Sequence, residues 1–267
     1  MTGRRRPRPP GALLAPAGVG VLFLVAPLVA MLALAPWGEL PALLGRQPVL
    51  QALRLSVVTA TISAALCTVL GVPLAWRLSR SASRTARVVR ALVTVPLVLP
   101  PVVGGVALLL AYGRTGLVGR WLYETTGYQI PFTSAAVVLA QTFVALPFMV
   151  VTTEGGLRAA GGELEEAAAT LGAGQLTAFR TVTLPLVGPS VAAGAVLCWA
   201  RALGEFGATV TFAGSLPGVT QTMPGAVYRA FESDPPAAVA LSLVLLTVSV
   251  TVLLLLRDRW RVGSAPW

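Results

Sequence analysis

Residues 161–185 read GGELEEAAATLGAGQLTAFRTVTLP, and the reading of this stretch decides what the rest of the chain can be. It is the one long polar stretch between strongly apolar segments. Glu163, Glu165 and Glu166 crowd its start, where carboxylates are favoured by the positive end of a helix dipole. Ala167, Ala168 and Ala169 follow as strong helix formers. Gly172 and Gly174 are the residue type that ends helices in a left-handed conformation. The pattern predicts a helix over Glu163–Leu171, a glycine break, and a second helix over Gln175–Leu184. That second helix is expected to stop at Pro185, which has no backbone hydrogen to continue it. A helix of about nine residues does not stand alone in water. Leu164, Ala168 and Leu171 fall on one face at i, i+4, i+7, so the helix is expected to pack against something. A connector lying on the membrane surface and a docking element for a cytoplasmic partner are both compatible with the residues.

Working outward, the flanks are those of a membrane protein. The chain has 267 residues, of which 55% are hydrophobic and 11% charged, against about 25% charged in a soluble domain. The net charge of +10 comes entirely from Arg. Most of it lies in loops beside apolar spans, which favours lipid and topology over nucleic acid. Without Lys there is no Walker A lysine, so a P-loop ATPase within this chain is excluded. Without His there is no His-based triad, zincin motif or haem ligand. Cys67 and Cys198 sit in apolar segments and read as small buried residues, not as a disulfide or metal site.

Six membrane spans are expected, each near the ~20 residues that a bilayer core requires. They are Leu13–Ala35, Leu55–Trp76, Ala91–Ala111, Ser134–Thr152, Pro189–Val210 and Ala237–Leu256. The first follows a basic, Pro-rich start and imitates a signal peptide, but at ~23 residues it exceeds a signal core and is read as a retained helix. The expected organisation is a basic cytoplasmic tail over 1–12, an extra first helix over 13–35, a permease core over 55–256 and a cytoplasmic tail over 257–267. No soluble domain is expected at either end. With the N-terminus inside, fourteen Arg residues fall in inner segments and five in outer ones, and only Arg201 lies within a span. That bias satisfies the positive-inside rule. It puts residues 161–185 on the cytoplasmic side and both termini inside.

Two places within the spans stand out. Pro96, Pro100, Pro101, Gly104 and Gly105 interrupt the third span. Such backbone is tolerated at depth where it is buried in protein or lines a water-filled cavity, and a kink at the membrane surface is the other reading. The fifth span carries Arg201 and Glu205, whose i, i+4 spacing lets them pair. Ionisable groups at this depth face an interior or a pathway. They form either a neutralising structural pair, or an arrangement in which Arg201 lends positive potential to an anion while Glu205 orients it. Gly204 and Gly207 read as close-approach positions. Thr209, Thr211, Ser215, Thr220 and Thr222 offer hydroxyls that can donate to an oxyanion.

Several of these strings resemble one family. Glu166-Ala167-Ala168, three residues, Gly172, nine residues, Val182, one residue, Leu184-Pro185 resembles the EAA loop of ABC-importer permeases, with Val where Ile is usual. The string Val95–Gly105 is similar to the matching segment of molybdate permeases. Within Arg201–Tyr228, the pattern Arg-Ala-x-Gly-Glu-aromatic-Gly is shared with sulfate permeases. Gly207-Ala208-Thr209, Phe212-Ala213-Gly214 and Pro217-Gly218-x-Thr220-x-Thr222 are closer to the molybdate branch. The similarity covers most of Leu55–Leu256; the extra first helix departs from five-span molybdate permeases.

The resemblance implies an all-α fold of the type I ABC importer permeases. It implies a non-catalytic, multi-pass subunit of the bacterial inner membrane. Two copies would form the pathway, and two cytoplasmic ATPase subunits, which bind the ATP and Mg, would dock on the coupling helix. An extracytoplasmic molybdate-binding protein would deliver the anion, with no cofactor or metal in this chain and no nucleic-acid partner. ATPase coupling would fall to Glu163, Leu164, Glu166, Ala167, Ala168, Leu171 and Gly172, and the anion pathway to Pro100, Pro101, Gly104, Arg201, Glu205 and Thr209. A sulfate or thiosulfate importer with the same mechanism, and a secondary oxyanion symporter, remain as alternatives. Energetics favour an ATP-driven system. Bringing an anion into a negative-inside cell costs about 2.3 kcal/mol per charge per 100 mV, twice over for a dianion, and the chain has no nucleotide site to supply it.

Overall fold

The structure is a computed structural model and describes residues 11–260. Every regular element it describes is helical: α1 (Gly11–Ala33), α2 (Leu40–Leu44), α3 (Gln47–Ser79), α4 (Arg84–Val98), α5 (Pro101–Tyr112), α6 (Gly119–Thr126), α7 (Ser134–Ala160), α8 (Glu163–Thr170), α9 (Gln175–Ala178), a π turn (Phe179–Thr183), α10 (Leu184–Leu203), α11 (Gly207–Ala213), α12 (Met223–Ser233) and α13 (Pro235–Trp260). Five described stretches are long and apolar enough to cross a membrane: Leu14–Ala33, Gln47–Ser79, Ser134–Ala160, Gln175–Leu203 and Pro235–Val252.

The core is α3, α7 and α10 packed along one another. In lipid, helices associate through close contact of small residues and not through exclusion of water, and this interface shows it. Met149 of α7 sits between Gly71 of α3 and Gly194 of α10. A Cβ on Gly71 would meet Met149 Cγ at 2.7 Å, and one on Gly194 would meet its sulfur at 2.9 Å. Ala60, Ala64, Ala145, Ala202 and both cysteines belong to the same cluster, with Val72 and Leu203 its larger members beside Met149. Cys67 Sγ donates to Thr142 O at 3.7 Å and Cys198 Sγ to Ala145 O at 3.1 Å, and both are free thiols. Their burial matches expectation; their meeting in one cluster was not readable from positions so far apart in sequence.

Three sequence expectations are refined. The third span is not one helix. It breaks at Leu99–Pro100 into α4 and α5, because Pro100 and Pro101 remove successive backbone donors. Pro101 then opens α5, where a missing N–H costs nothing. The fifth span ends at Leu203, earlier than expected, and α11 starts a separate helix at Gly207. Pro185 does not stop a helix either. The backbone turns through a π turn in which Leu184 N–H donates to Phe179 O, and Pro185 falls in the first turn of α10, a position suited to it. Residues 175–203 are therefore one continuous helical stretch.

The first ten residues of the expected tail over 1–12 lie outside the described residues, and its last two begin α1. Of the expected tail over 257–267, only 257–260 are described, and they continue α13.

Candidate coupling surface and anion pathway

The acidic helix forms as its composition dictates. α8 begins after Gly162, with Glu163, Glu165 and Glu166 in its first turn and Glu166 N–H on Gly162 O at 3.0 Å. It ends in a Schellman pair: Gly172 N–H donates to Ala169 O and Ala173 N–H to Ala168 O, both at 3.0 Å. Gly172 has φ +86°, a conformation that costs an L-residue about 1–2 kcal/mol. Ala167, Ala168 and Gly172 thus occupy the helix and cap positions that the spacing required.

No residue of α8 is fully buried. Of the face expected to pack, Ala168 is half-buried, whereas Leu164 is 55% and Leu171 89% exposed. The two leucines and the Glu163 and Glu166 positions therefore present an open surface. The attachment to the bundle runs through Glu165, a residue that the sequence pattern did not single out. Its carboxylate pairs with Arg80 at the end of α3 and accepts from the Thr183 hydroxyl in the π turn. Only tertiary structure brings these partners together, from positions 85 and 18 residues away.

A second charged cluster ties the same end of the bundle together. Glu154 of α7 receives Arg90 Nη2 of α4 at 2.7 Å, Arg90 Nε at 2.9 Å and Arg158 Nη2 at 2.8 Å. Arg90 also reaches Leu78 O of α3 at 2.9 Å. The Glu154 side chain is 9% exposed; these three bonds all end on Oε1, and Oε2 receives only Arg90 Nε, at 3.3 Å. Hydrogen bonding to Glu154 raises the Arg90 guanidinium further above its ordinary value, so its charge persists throughout the physiological range.

Arg201 and Glu205 do pair, but across the end of a helix and not along one. Arg201 Nη1 lies 2.6 Å from Glu205 Oε2, with the Arg side chain 29% and the Glu side chain 1% exposed. Glu205 Oε1 accepts from Ala208 N–H at 2.8 Å, capping the start of α11. Glu205 is thereby committed on both oxygens, while the other guanidinium nitrogens of Arg201 have no hydrogen-bond partner among the described residues. One residue beyond Ala208, Thr209 is buried and its hydroxyl has no partner among the described residues. Of the other hydroxyls, Thr211 donates to Gly207 O and Thr220 caps Leu216 N–H. Ser215 Oγ is buried and unpartnered.

The broken third span meets this site. α11 packs on α5, and a Cβ on Gly207 would meet Pro101 Cβ at 2.8 Å. Gly207 is a close-approach residue as expected. Gly204 is not, since its nearest neighbour is its own helix at 3.7 Å. Pro100 and Pro101 are exposed, whereas Gly104 is buried against the Phe143 ring. Pro100, Pro101, Gly207 and Arg201–Glu205 therefore share one neighbourhood, assembled from two helix breaks.

Comparisons with known proteins agree with this architecture. A chain of a bacterial ABC transporter involved in the import of the acidic polysaccharide alginate superposes with a TM-score of 0.76 at 16% identity, covering 95% of each chain. A chain of the MetNI methionine ABC transporter gives 0.63 at 17% identity, covering 81% of this chain and 96% of that one. At such identities the likeness speaks for the fold. The molybdenum transport system permease protein ModB of Mycobacterium tuberculosis is 52% identical over 93% of this chain and 94% of its own length. The protein of that name from Escherichia coli is 37% identical over 80% of this chain and 93% of its own. The family model described as the binding-protein-dependent transport system inner membrane component matches residues 67–261, from within α3 to one residue beyond the described ones. The chain belongs to that family of inner membrane transport components.

Proposed function

We propose that this chain is the membrane subunit of an ATP-driven molybdate importer. Two copies form the anion pathway, and a cytoplasmic ATPase subunit docks on α8 of each. A molybdate-binding protein loads the outer face. The chain is non-catalytic: ATP and Mg belong to the ATPase. Its termini and α8 face the cytoplasm, in accord with the Arg distribution.

The observation that carries the coupling is the open face of α8, with Leu164 and Leu171 exposed at the end of the bundle where Arg80, Arg90 and Arg158 cluster. Glu163, Glu166, Ala167 and Ala168 complete the docking helix, and Gly172 sets its end. The anion follows from the relatives whose names carry molybdenum transport, 52% identical in the nearer case. On this reading Arg201, oriented by Glu205, gives the passage positive potential without a tight site, because its charge is already paired with a carboxylate. Pro100, Pro101 and Gly104 shape the broken helix beside it, and Thr209 offers an uncommitted hydroxyl. Transport proceeds by alternating access, with closure of the ATPase pair shifting α8.

The test is uptake of radiolabelled molybdate by proteoliposomes holding the chain, its ATPase and its binding protein, with sulfate as competitor. ATP-dependent molybdate uptake that excess sulfate leaves intact is the expected result. Uptake abolished by sulfate would make the chain a sulfate importer subunit. Accumulation by the chain alone on an ion gradient would make it a symporter.

A further inference from the structure

Resting on that reading, the way α8 is attached assigns a role to a residue outside the docking face. α8 touches the bundle chiefly through the segment that follows it, and its charged anchor is Glu165, which grips Arg80 of α3 and Thr183 of the π turn together. The anchor is itself braced. The Arg80 guanidinium lies 4.4 Å from the centre of the Trp76 ring. Trp76 in turn meets Phe179, the first residue of the π turn, edge-on at 5.5 Å. Both partners of Glu165 therefore belong to one cluster that joins the end of α3 to the head of α10.

Around this point the structure is open. A cavity of 580 Å³ lies on one side, between Trp76, Arg77, Glu166 and Gln175, and one of 310 Å³ on the other, between Leu157, Val182 and Leu186. Arg80 and Glu165 line both. At the ends of the helix, Gly161 (φ +69°) and Gly172 (φ +86°) have nothing within 4 Å of where a side chain would start. α8 is thus a short strut with open glycine joints at both ends, space on both sides, and one charged anchor. The anchor bears on a π turn, one of the features at which helices bend.

We propose that Glu165 is the pin of this lever: a positioning residue that passes displacement of α8 to the π turn at the head of α10 and to the end of α3. Docking and transmission are then separate functions of one helix. The exposed leucines hold the ATPase, and Glu165, on the bundle side, moves the bundle.

The experiment uses the full complex in proteoliposomes, with Glu165→Gln, Thr183→Val, Arg80→Glu and the exchange Arg80→Glu/Glu165→Arg. Two quantities are read: retention of the ATPase subunit in pull-down, and ATP hydrolysed per anion imported. Glu165→Gln should keep the ATPase bound while raising ATP per anion about tenfold, within the range of ordinary coupling energies. Thr183→Val, which removes one of the two grips, should raise it about threefold, the scale of one hydrogen bond. Arg80→Glu should behave like Glu165→Gln or worse, and the exchange should restore most of the coupling. Recovery by exchange separates transmission from a mere folding defect. A wild-type ratio in Glu165→Gln overturns the proposal, and so does loss of ATPase binding, which would make Glu165 part of the docking face. If another oxyanion drives turnover in place of molybdate, the ratio is read with that anion: the substrate assignment falls, and the pin is judged on its own.

Discussion

Neutralising Arg201 and Glu205 one at a time and together distinguishes a structural pair from a working one. Glu205 is 1% exposed and has one oxygen on Arg201 and the other on Ala208 N–H. Arg201→Gln strands that carboxylate with a single backbone donor. Breaking a buried pair costs about 3–5 kcal/mol, and since the Arg side chain is 29% exposed, the lower end, about 3 kcal/mol, applies here. Glu205→Gln is milder, at about 2 kcal/mol, because water can solvate the guanidinium and the amide oxygen can still cap α11. The double variant leaves no charge stranded and should also lose about 2 kcal/mol. The singles sum to about 5, so the cycle should give a coupling energy of about 3 kcal/mol. Unfolding of the purified protein by SDS in mixed micelles measures this. Additive losses would refute the closed pair seen here. Uptake supplies the second reading: a double variant that folds yet imports poorly puts the Arg201 charge on the pathway. Wild-type uptake in that variant would reduce the pair to structure.

Further outcomes follow from other parts of the fold. Gly172→Pro, which destroys the Schellman pair, and Glu166→Lys, which reverses charge on the proposed docking face, should each abolish stimulated ATP turnover and uptake while leaving membrane insertion intact; normal uptake in both removes the proposed docking role. Glu154→Gln frees two part-exposed arginines from a nearly buried carboxylate and should lower stability by about 2–3 kcal/mol, the scale of lost charged hydrogen bonds, read as an earlier SDS midpoint, and a shift below about 0.5 kcal/mol would mean the cluster is solvated. Gly194→Leu drives a side chain into Met149 and should cost about 1–3 kcal/mol or more, with reduced yield of folded protein; an unchanged midpoint would show that α7 and α10 can part.

Sequence and structure meet unevenly, for physical reasons. The spans were legible because a bilayer demands long apolar runs, and α8 because three glutamates, three alanines and Gly172 leave little else to form. The Arg201–Glu205 contact was legible because it is local. What failed were statements about backbone continuity. Pro185 looked like a stop, but a π turn moved it into a first turn, where proline is welcome. Gly204 looked like a packing glycine, but the helix ends one residue before it and it faces open space. Glu165 was passed over among its neighbours because its role depends on Arg80 and Thr183, which composition cannot connect. Glu154 has a local partner in Arg158, four residues on, but its tie to α4 through Arg90, 64 residues away, exists only in the fold.

The central claim, that a membrane bundle with no lysine for a Walker A motif is driven through α8 from the cytoplasm, is tested most directly by the sidedness of Leu171. That residue is exposed, while both native cysteines are fully buried, so a Leu171→Cys thiol reports alone to a membrane-impermeant maleimide. Labelling in inverted vesicles but not in spheroplasts, and its suppression by added ATPase subunit, is the expected result. Labelling from the outer face of intact spheroplasts would contradict the account.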